Sequence, residues 1–315
     1  MANNSAVDLE EAKKMQNQMS EDEIRLVLYE QDPSVLLESS YNARPKRGGM
    51  TRVFPDGHVI LKGGIEESFN NSSLTRVPII TGTNKDENKF FNALNRNFVK
   101  WGPASGLYKT VGVDEMPLEI IDPDYYDAIS FYGSSFWKQR AVDTPARKLI
   151  QSGHVDTYAY RFDWDELAEP LGMDFPEMLG AAHGLEISFV FGEMSMGDFD
   201  QILITEDNAS GRAELSRAMM AYWANFARSG NPNLGVNVPS QWLPWLAEEQ
   251  YLVLDTNSEE NTGIRMSSET TRYQDLMQQL KEDERFDSQE ERCGVLFRLS
   301  RSSPELLSWK TVIGC

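Results

Sequence analysis

The sequence predicts an α/β fold in which a parallel sheet is covered by helices on both faces. Two segments read as its strands. Arg76 to Thr83 carries the apolar run Val77-Pro78-Ile79-Ile80 and closes in a glycine turn, as suits a strand buried on both sides. Val155 to Trp164 is aromatic and β-rich. Roughly 70 residues with helical patterning separate the two, and such a connection is the signature of a right-handed parallel crossover.

Taken in order, the elements begin with helices. Asp8 to Gln18 is polar and alanine-containing, and Ser20 with Glu23 forms a capping box ahead of Ile24, Val27 and Leu28. A turn follows at Asp32-Pro33-Ser34, and Tyr41 to Phe69 reads as surface loop. An α/β domain normally opens on strands, so the helical start points to something upstream. After the first strand come Asn84-Lys85-Asp86-Glu87-Asn88 and the apolar Phe90-Phe91. Loops at the carboxyl ends of parallel strands carry ligand chemistry, which makes both Asp86 and Glu87 candidates.

Asp122 to Gln151 reads as helix, interrupted at Asp143-Thr144-Pro145 with Thr144 as cap, and Gly153 ends it. Arg212 to Arg228 is a helix whose stripe of Leu215, Met219, Tyr222, Trp223 and Phe226 is core rather than cofactor box. Tyr251 to Leu254 and Ile264 to Met266 are short strands around a polar turn at Glu259 to Gly263. Residues 270–315 form a charged helical tail, and the whole chain, 1–315, is taken as one domain.

A net charge of -19 argues against nucleic acid or an anionic membrane as the main partner. No apolar run is long enough to span a bilayer, and Met1 to Asp8 has neither the basic start nor the apolar core of an export signal; the compartment stays open. Cys293 and Cys315 are too few for a disulfide framework, and a bond between them would staple only the tail. Sequons at Asn71 and Asn208 matter only in an exported protein. The histidines are His58, His154 and His183, with no H-E-x-x-H, no cysteine pair at zinc spacing, no dinucleotide fingerprint and no phosphate-cradling loop. Neither a metal nor a cofactor is expected.

The organising stretch is Leu179 to Gly192, where His183 stands between small residues with Glu186 three positions on. Small neighbours leave an imidazole reachable, and its ordinary titration range suits a general base. The chain thus offers an acid on the loop after one strand and a histidine on the loop after the next.

Four blocks, in order, are similar to the type-B carboxylesterase family, which includes the cholinesterases: Val77 to Glu87, Tyr158 to Trp164, Ala182 to Gly192 and Trp223 to Asn233. The resemblance covers roughly residues 20–270 and extends to Arg292-Cys293. It implies the carboxyl-terminal part of an α/β-hydrolase sheet with its helices, and hydrolysis of a small-molecule carboxylic ester. Residue by residue, it puts Glu87 at the triad acid, His183 at the triad base and Glu186 at a carboxylate near that histidine. Spacing alone leaves Asp86 in competition with Glu87.

The departure from the family is its nucleophile, which lies on a G-x-S-x-G turn. Gly102-Pro103-Ala104-Ser105-Gly106 has its serine one place late, and Tyr132-Gly133-Ser134-Ser135 lacks the second glycine. The expectation is therefore a chain without the amino-terminal half and its nucleophile elbow, inactive alone, whose strand from Arg76 to Thr83 has an open edge for a partner chain to cover. A split protein and a fragment both fit. The alternative is a non-catalytic interaction module or pseudo-enzyme on the same fold.

Overall fold

The computed structural model describes residues 8–43, 55–64, 67–68, 77–104, 114–169, 173–193, 204–246, 248–257 and 263–315. The loop at Arg44 to Gly49, the sequon at Asn71, Arg76, the Ser105-Gly106 end of the first serine stretch and most of the turn from Glu259 lie outside them. The chain divides into two units, Met1–Ile65 and Glu66–Cys315.

The first unit holds three helices, α1 (Leu9–Gln18), α2 (Glu21–Tyr29) and α3 (Pro33–Ala43). Asp8 caps α1 by accepting from the Glu11 N–H at 2.9 Å. The capping box of α2 forms as its sequence dictates, the Ser20 N–H donating to Glu23 Oε2 at 2.8 Å. No residue of α2 is buried.

The second unit is built on a four-stranded sheet of order β1 (Ile79–Asn84), β4 (Thr157–Phe162), β5 (Tyr251–Leu254), β6 (Arg265–Ser267). β1 and β4 are parallel with Ile79 opposite Thr157 and Asn84 opposite Phe162, and β5 continues the parallel order. β6 closes antiparallel. β1 has a single strand neighbour among the described residues.

Side chains of β4 and β5 alternate between two cores. Tyr158, Phe162, Leu252 and Leu254 join Leu215, Met219 and Tyr222 of α9 (Glu206–Ser229), while Ala159, Tyr251 and Val253 join Val142, Ala146 and Trp245. Coverage of both faces explains why these strands read as apolar runs rather than alternating ones.

A hairpin of β2 (Val99–Pro103) and β3 (Glu115–Ile120) was not legible in the sequence, because Lys100, Glu119, Pro103 and Pro117 break every strand pattern. Helix α4 (Glu87–Ala93) follows β1 directly, and α5 (Pro123–Lys138) lies against it.

The expected interruption at Thr144 takes another form. Gln139–Asp143 is a five-residue π-helical stretch leading straight into α6 (Thr144–Gln151), so Thr144 is itself helical and the N-cap position of α6 falls on Asp143. Pro145 has no N–H to give the carbonyl of Ala141, and that carbonyl accepts the Thr81 hydroxyl at 3.5 Å instead. The widened turn also directs the fully buried Asp143 to Lys138 Nζ at 2.8 Å, where burial pushes the lysine down and the carboxyl up while each charge opposes the other's shift.

Helix α9 starts six residues earlier than its apolar stripe indicates. The Thr205 N–H donates to Asn208 Oδ1 at 3.2 Å, and Asn208 Nδ2 donates to the Glu166 carbonyl at 2.9 Å, so the second sequon asparagine is part of a helix start. The remaining helices are α7 (Phe175–Leu179), α8 (Leu185–Phe191), α10 (Tyr273–Glu282), α11 (Gln289–Ser300) and α12 (Lys310–Ile313). The region after Thr270 buries Leu276, Leu280, Leu296 and Leu299 against Ile129, Tyr132 and Phe136 of α5. Cys293 and Cys315 form a disulfide. No helix among the described residues is long and apolar enough to cross a membrane.

Glu166 gives this unit a pH dependence. Its Oε1 accepts the Thr256 hydroxyl, its Oε2 is buried without a hydrogen-bond partner among the described residues, and burial, with Asp255 and Asp165 adding, raises its titration to about 7. A carboxyl raised on folding contributes stability below its unfolded pKa, and that contribution is lost as pH climbs through about 7. Glu166→Gln should therefore raise the thermal midpoint at pH 8 relative to the parent and leave it close to the parent at pH 5. An equal difference at both pH values would contradict this.

Candidate active site

β1 delivers Asn84 to the carboxyl edge of the sheet, and the chain turns through Lys85 and Asp86 so that Glu87 opens α4. Opposite lies the loop Gly180 to Gly184 between α7 and α8. The two segments are zipped together by main-chain bonds, the Asp86 N–H donating to the Ala181 carbonyl at 3.1 Å in a parallel bridge of Asp86 with Ala182.

Asp86 completes the zip with its side chain, its Oδ2 accepting the Ala181 N–H at 3.2 Å. That carboxylate occupies the space over Gly180, where an added Cβ would meet Oδ2 at 2.4 Å, and Gly180 also has φ +52°. Burial pushes the Asp86 carboxyl up, against the pull of Lys89 and Lys85.

The consequence is a contact between residues 96 apart in sequence. His183 Nδ1 lies 2.6 Å from Glu87 Oε2. The glutamate is 5% exposed, whereas the histidine side chain is 43% exposed. Spacing left Asp86 and Glu87 open as partners of the imidazole; the structure turns Glu87 to the ring and Asp86 to the backbone.

Glu87 is itself fixed. Its Oε1 accepts the Thr83 hydroxyl at 3.0 Å and the Asn84 N–H at 2.9 Å. An oxygen taking two donors is an acceptor, and the carboxylate therefore presents Oε2 to a ring that donates through Nδ1–H. Nε2 is left without a hydrogen-bond partner among the described residues, which is the tautomer a general base needs.

Glu186 does not touch the imidazole through a hydrogen bond. Its Oε2 accepts Asn84 Nδ2 at 2.6 Å, and the same Nδ2 donates to the Ala182 carbonyl at 2.6 Å, one residue before the histidine. Asn84 thus ties β1 to the His183 loop and to α8.

The imidazole packs on aromatic rings, Phe91 at 5.3 Å and Trp137 at 5.2 Å between centroids. Phe91 stands one helical turn from Glu87, a spacing that would have flagged it. Thr83, Asn84 and Trp137 carried no such signal; they become legible only when two loops and α5 meet. α4 is docked on α5 by the Asn88 N–H to Ser134 Oγ and Asn92 Nδ2 to Ser130 Oγ, both 3.0 Å. Ser134 is accordingly buried in a helix-packing bond.

A polar cleft of about 690 Å³ lies beyond Asn84 and Asp86, and neither Glu87 nor His183 lines it. Its cations have local partners: Lys138 with Asp143 at 2.8 Å, Arg161 with Asp163 at 2.6 Å, Lys85 with Asp165 at 3.1 Å and Lys89 with Glu177 at 3.8 Å. No group of three or more histidine, cysteine or acidic side chains that could hold a metal occurs among the described residues.

Comparison with known proteins finds similarity to one family. Residues 124–276 match the carboxylesterase family, a span that includes His183 and Glu186 and begins after Glu87. Carboxylesterase 4A of Bos taurus is 27% identical over 235 residues, covering 68% of this chain and 38% of that protein. Carboxylesterase 5A of Mus musculus is 41% identical over 99 residues, 31% of this chain and 16% of that one. Acetylcholinesterase of Electrophorus electricus is 38% identical over 112 residues, 34% of this chain and 16% of that one. A carboxylesterase structure from Geobacillus stearothermophilus aligns with TM-score 0.49 at 20% identity, over 77% of this chain and 48% of that one.

The chain is thus similar to the carboxylesterase family over residues 124–276, and its second unit carries an α/β fold on a mostly parallel sheet. These matches span between 16% and 38% of the length of the three curated relatives.

Proposed function

We propose that this chain supplies the acid, Glu87, and the base, His183, of a Ser-His-Glu site that hydrolyses carboxylic esters, with the serine carried on polypeptide outside these 315 residues. The observation that carries this reading is the 2.6 Å contact between Glu87 Oε2 and His183 Nδ1. In the completed site His183 Nε2 takes the proton of the serine hydroxyl as it attacks the ester carbonyl. It returns that proton to the departing alkoxide, then repeats the cycle with water to free the acid. Glu87 holds the tautomer and stabilises the imidazolium formed in each half. Glu186 acts through Asn84, which sets the height of the His183 loop.

The partner polypeptide has a surface to meet. β1 has an edge with no strand neighbour among the described residues, and the helices flanking the pair expose Phe90, Phe91, Ile187 and Phe191. The same surface supports the second reading, a non-catalytic interaction module. The paired acid and base weigh against it, since adhesion has no use for a fixed imidazole tautomer.

The test is the isolated chain with a short-chain p-nitrophenyl ester and a fluorophosphonate probe. No turnover above buffer and no labelling are expected, because acid, base and nucleophile act as a unit. A labelled serine within this chain would place the nucleophile here and overturn the proposal. A reading frame adjoining that of this chain and encoding G-x-S-x-G is the expected source of the missing serine.

A further inference from the structure

We infer that Thr83 is a positioning residue for the acid–base pair, locking the glutamate carboxylate through its second oxygen; this rests on the function just proposed. A carboxylate bonded to an imidazole through one oxygen retains its end-group rotation, since that torsion is broad and two-fold. Such rotation breaks the bond to Nδ1–H and frees the ring. In this chain the two oxygens have separate tasks. Oε2 faces His183 at 2.6 Å, and Oε1 is gripped from two directions by the Asn84 N–H at 2.9 Å and the Thr83 hydroxyl at 3.0 Å.

The backbone donor belongs to the last residue of β1 and would be present whatever residue stood at 83. The hydroxyl is what Thr83 adds. Its residue is 2% exposed, so water has little access to replace it. The β-branched side chain is stiff at χ1, which fixes the position of Oγ1, and of its two acceptors the Glu87 oxygen at 3.0 Å is nearer than the Asn84 carbonyl at 3.3 Å. Thr83 is also the strand residue opposite Arg161 in β4, so its backbone is held by the sheet. Strand, hydroxyl, carboxylate and imidazole form one chain of contacts from the rigid sheet to the exposed ring.

The pair can be tested in this chain without any nucleophile. Labelling with 15N-histidine gives only three imidazoles, His58, His154 and His183, and His183→Gln assigns the third. The parent should show a low-field Nδ1–H resonance from His183 in slow exchange with solvent, and Glu87→Gln should abolish it. Thr83→Val, which keeps the shape and removes the donor, should speed its exchange about tenfold, and Thr83→Ser should keep it near the parent rate. Thr83→Ala repeats the deletion should the valine chain fail to fold.

Loss of the resonance in Glu87→Gln with parent-like exchange in Thr83→Val and Thr83→Ala would overturn the positioning role and leave the pair intact. A resonance unmoved in Glu87→Gln would instead remove the pair, and with it the proposed function.

Discussion

Glu87→Gln, measured in an assembly completed with a serine-bearing polypeptide, is expected to lower kcat for ester hydrolysis by about 10⁴-fold with little change in KM. The size follows from which way the amide must face. Oε1 of Glu87 takes two donors, from Thr83 and Asn84, so a glutamine seats its carbonyl oxygen there. Its NH2 then points at His183 Nδ1, in place of the oxygen that lies 2.6 Å away in the parent. An N–H donor facing Nδ1 forces the ring proton onto Nε2, and the base is presented in the wrong tautomer. The imidazolium also loses its counter-charge. Steady-state kinetics on the completed assembly decide the matter, and a kcat within tenfold of the parent would contradict the role given to Glu87.

Gly82→Ala is expected to destabilise the second unit by about 3 kcal/mol, the upper range for forcing extra volume into a packed site. Gly82 pairs directly with Tyr160 across β1 and β4, so the two residues share a face of the sheet. The phenol ring lies over the glycine, and an added Cβ would sit 2.0 to 2.3 Å from its atoms. Movement of the ring toward the core is resisted by Trp223 and Trp242, 5.2 Å and 6.3 Å away between centroids. Equilibrium urea unfolding should show the loss as a lowered midpoint with unchanged slope. An unchanged midpoint would mean the ring moves freely. The same substitution should perturb the His183 loop, because β1 leads without a break into Thr83, Asn84 and Glu87.

Much of this arrangement could be read in the residues before any coordinates, and the part that could not has a physical pattern. β4 was visible through its aromatic, β-rich residues from Tyr158 to Phe162, and β1 through the short apolar run Ile79-Ile80, although those two isoleucines are only half-buried. The meeting of Glu87 and His183 was anticipated from the order of the two loops after those strands together with the family resemblance. Spacing could not choose between Asp86 and Glu87, because the choice depends on a partner loop 95 residues away that claims Asp86 by its Ala181 N–H.

The hairpin of β2 and β3 escaped because its faces carry proline, lysine and glutamate, and its packing rather than its pattern makes it a strand pair. The early start of α9 was hidden by polar residues, whose roles at Thr205 and Asn208 are capping and not burial. Whether Cys293 and Cys315 pair was left open by sequence; it depends on α11 and the last turn meeting, with Cα atoms 5.6 Å apart. Local signals thus survived where burial or a capping box wrote them, and were lost where distant segments decide the outcome.

The most direct test mixes this chain with an amino-terminal carboxylesterase segment bearing G-x-S-x-G and follows p-nitrophenyl ester turnover, parent against His183→Ala. Turnover that appears with the parent chain and vanishes with the alanine variant is the expected result. Equal turnover from the two would show that this imidazole moves no proton in the reaction, and the proposed site would fall.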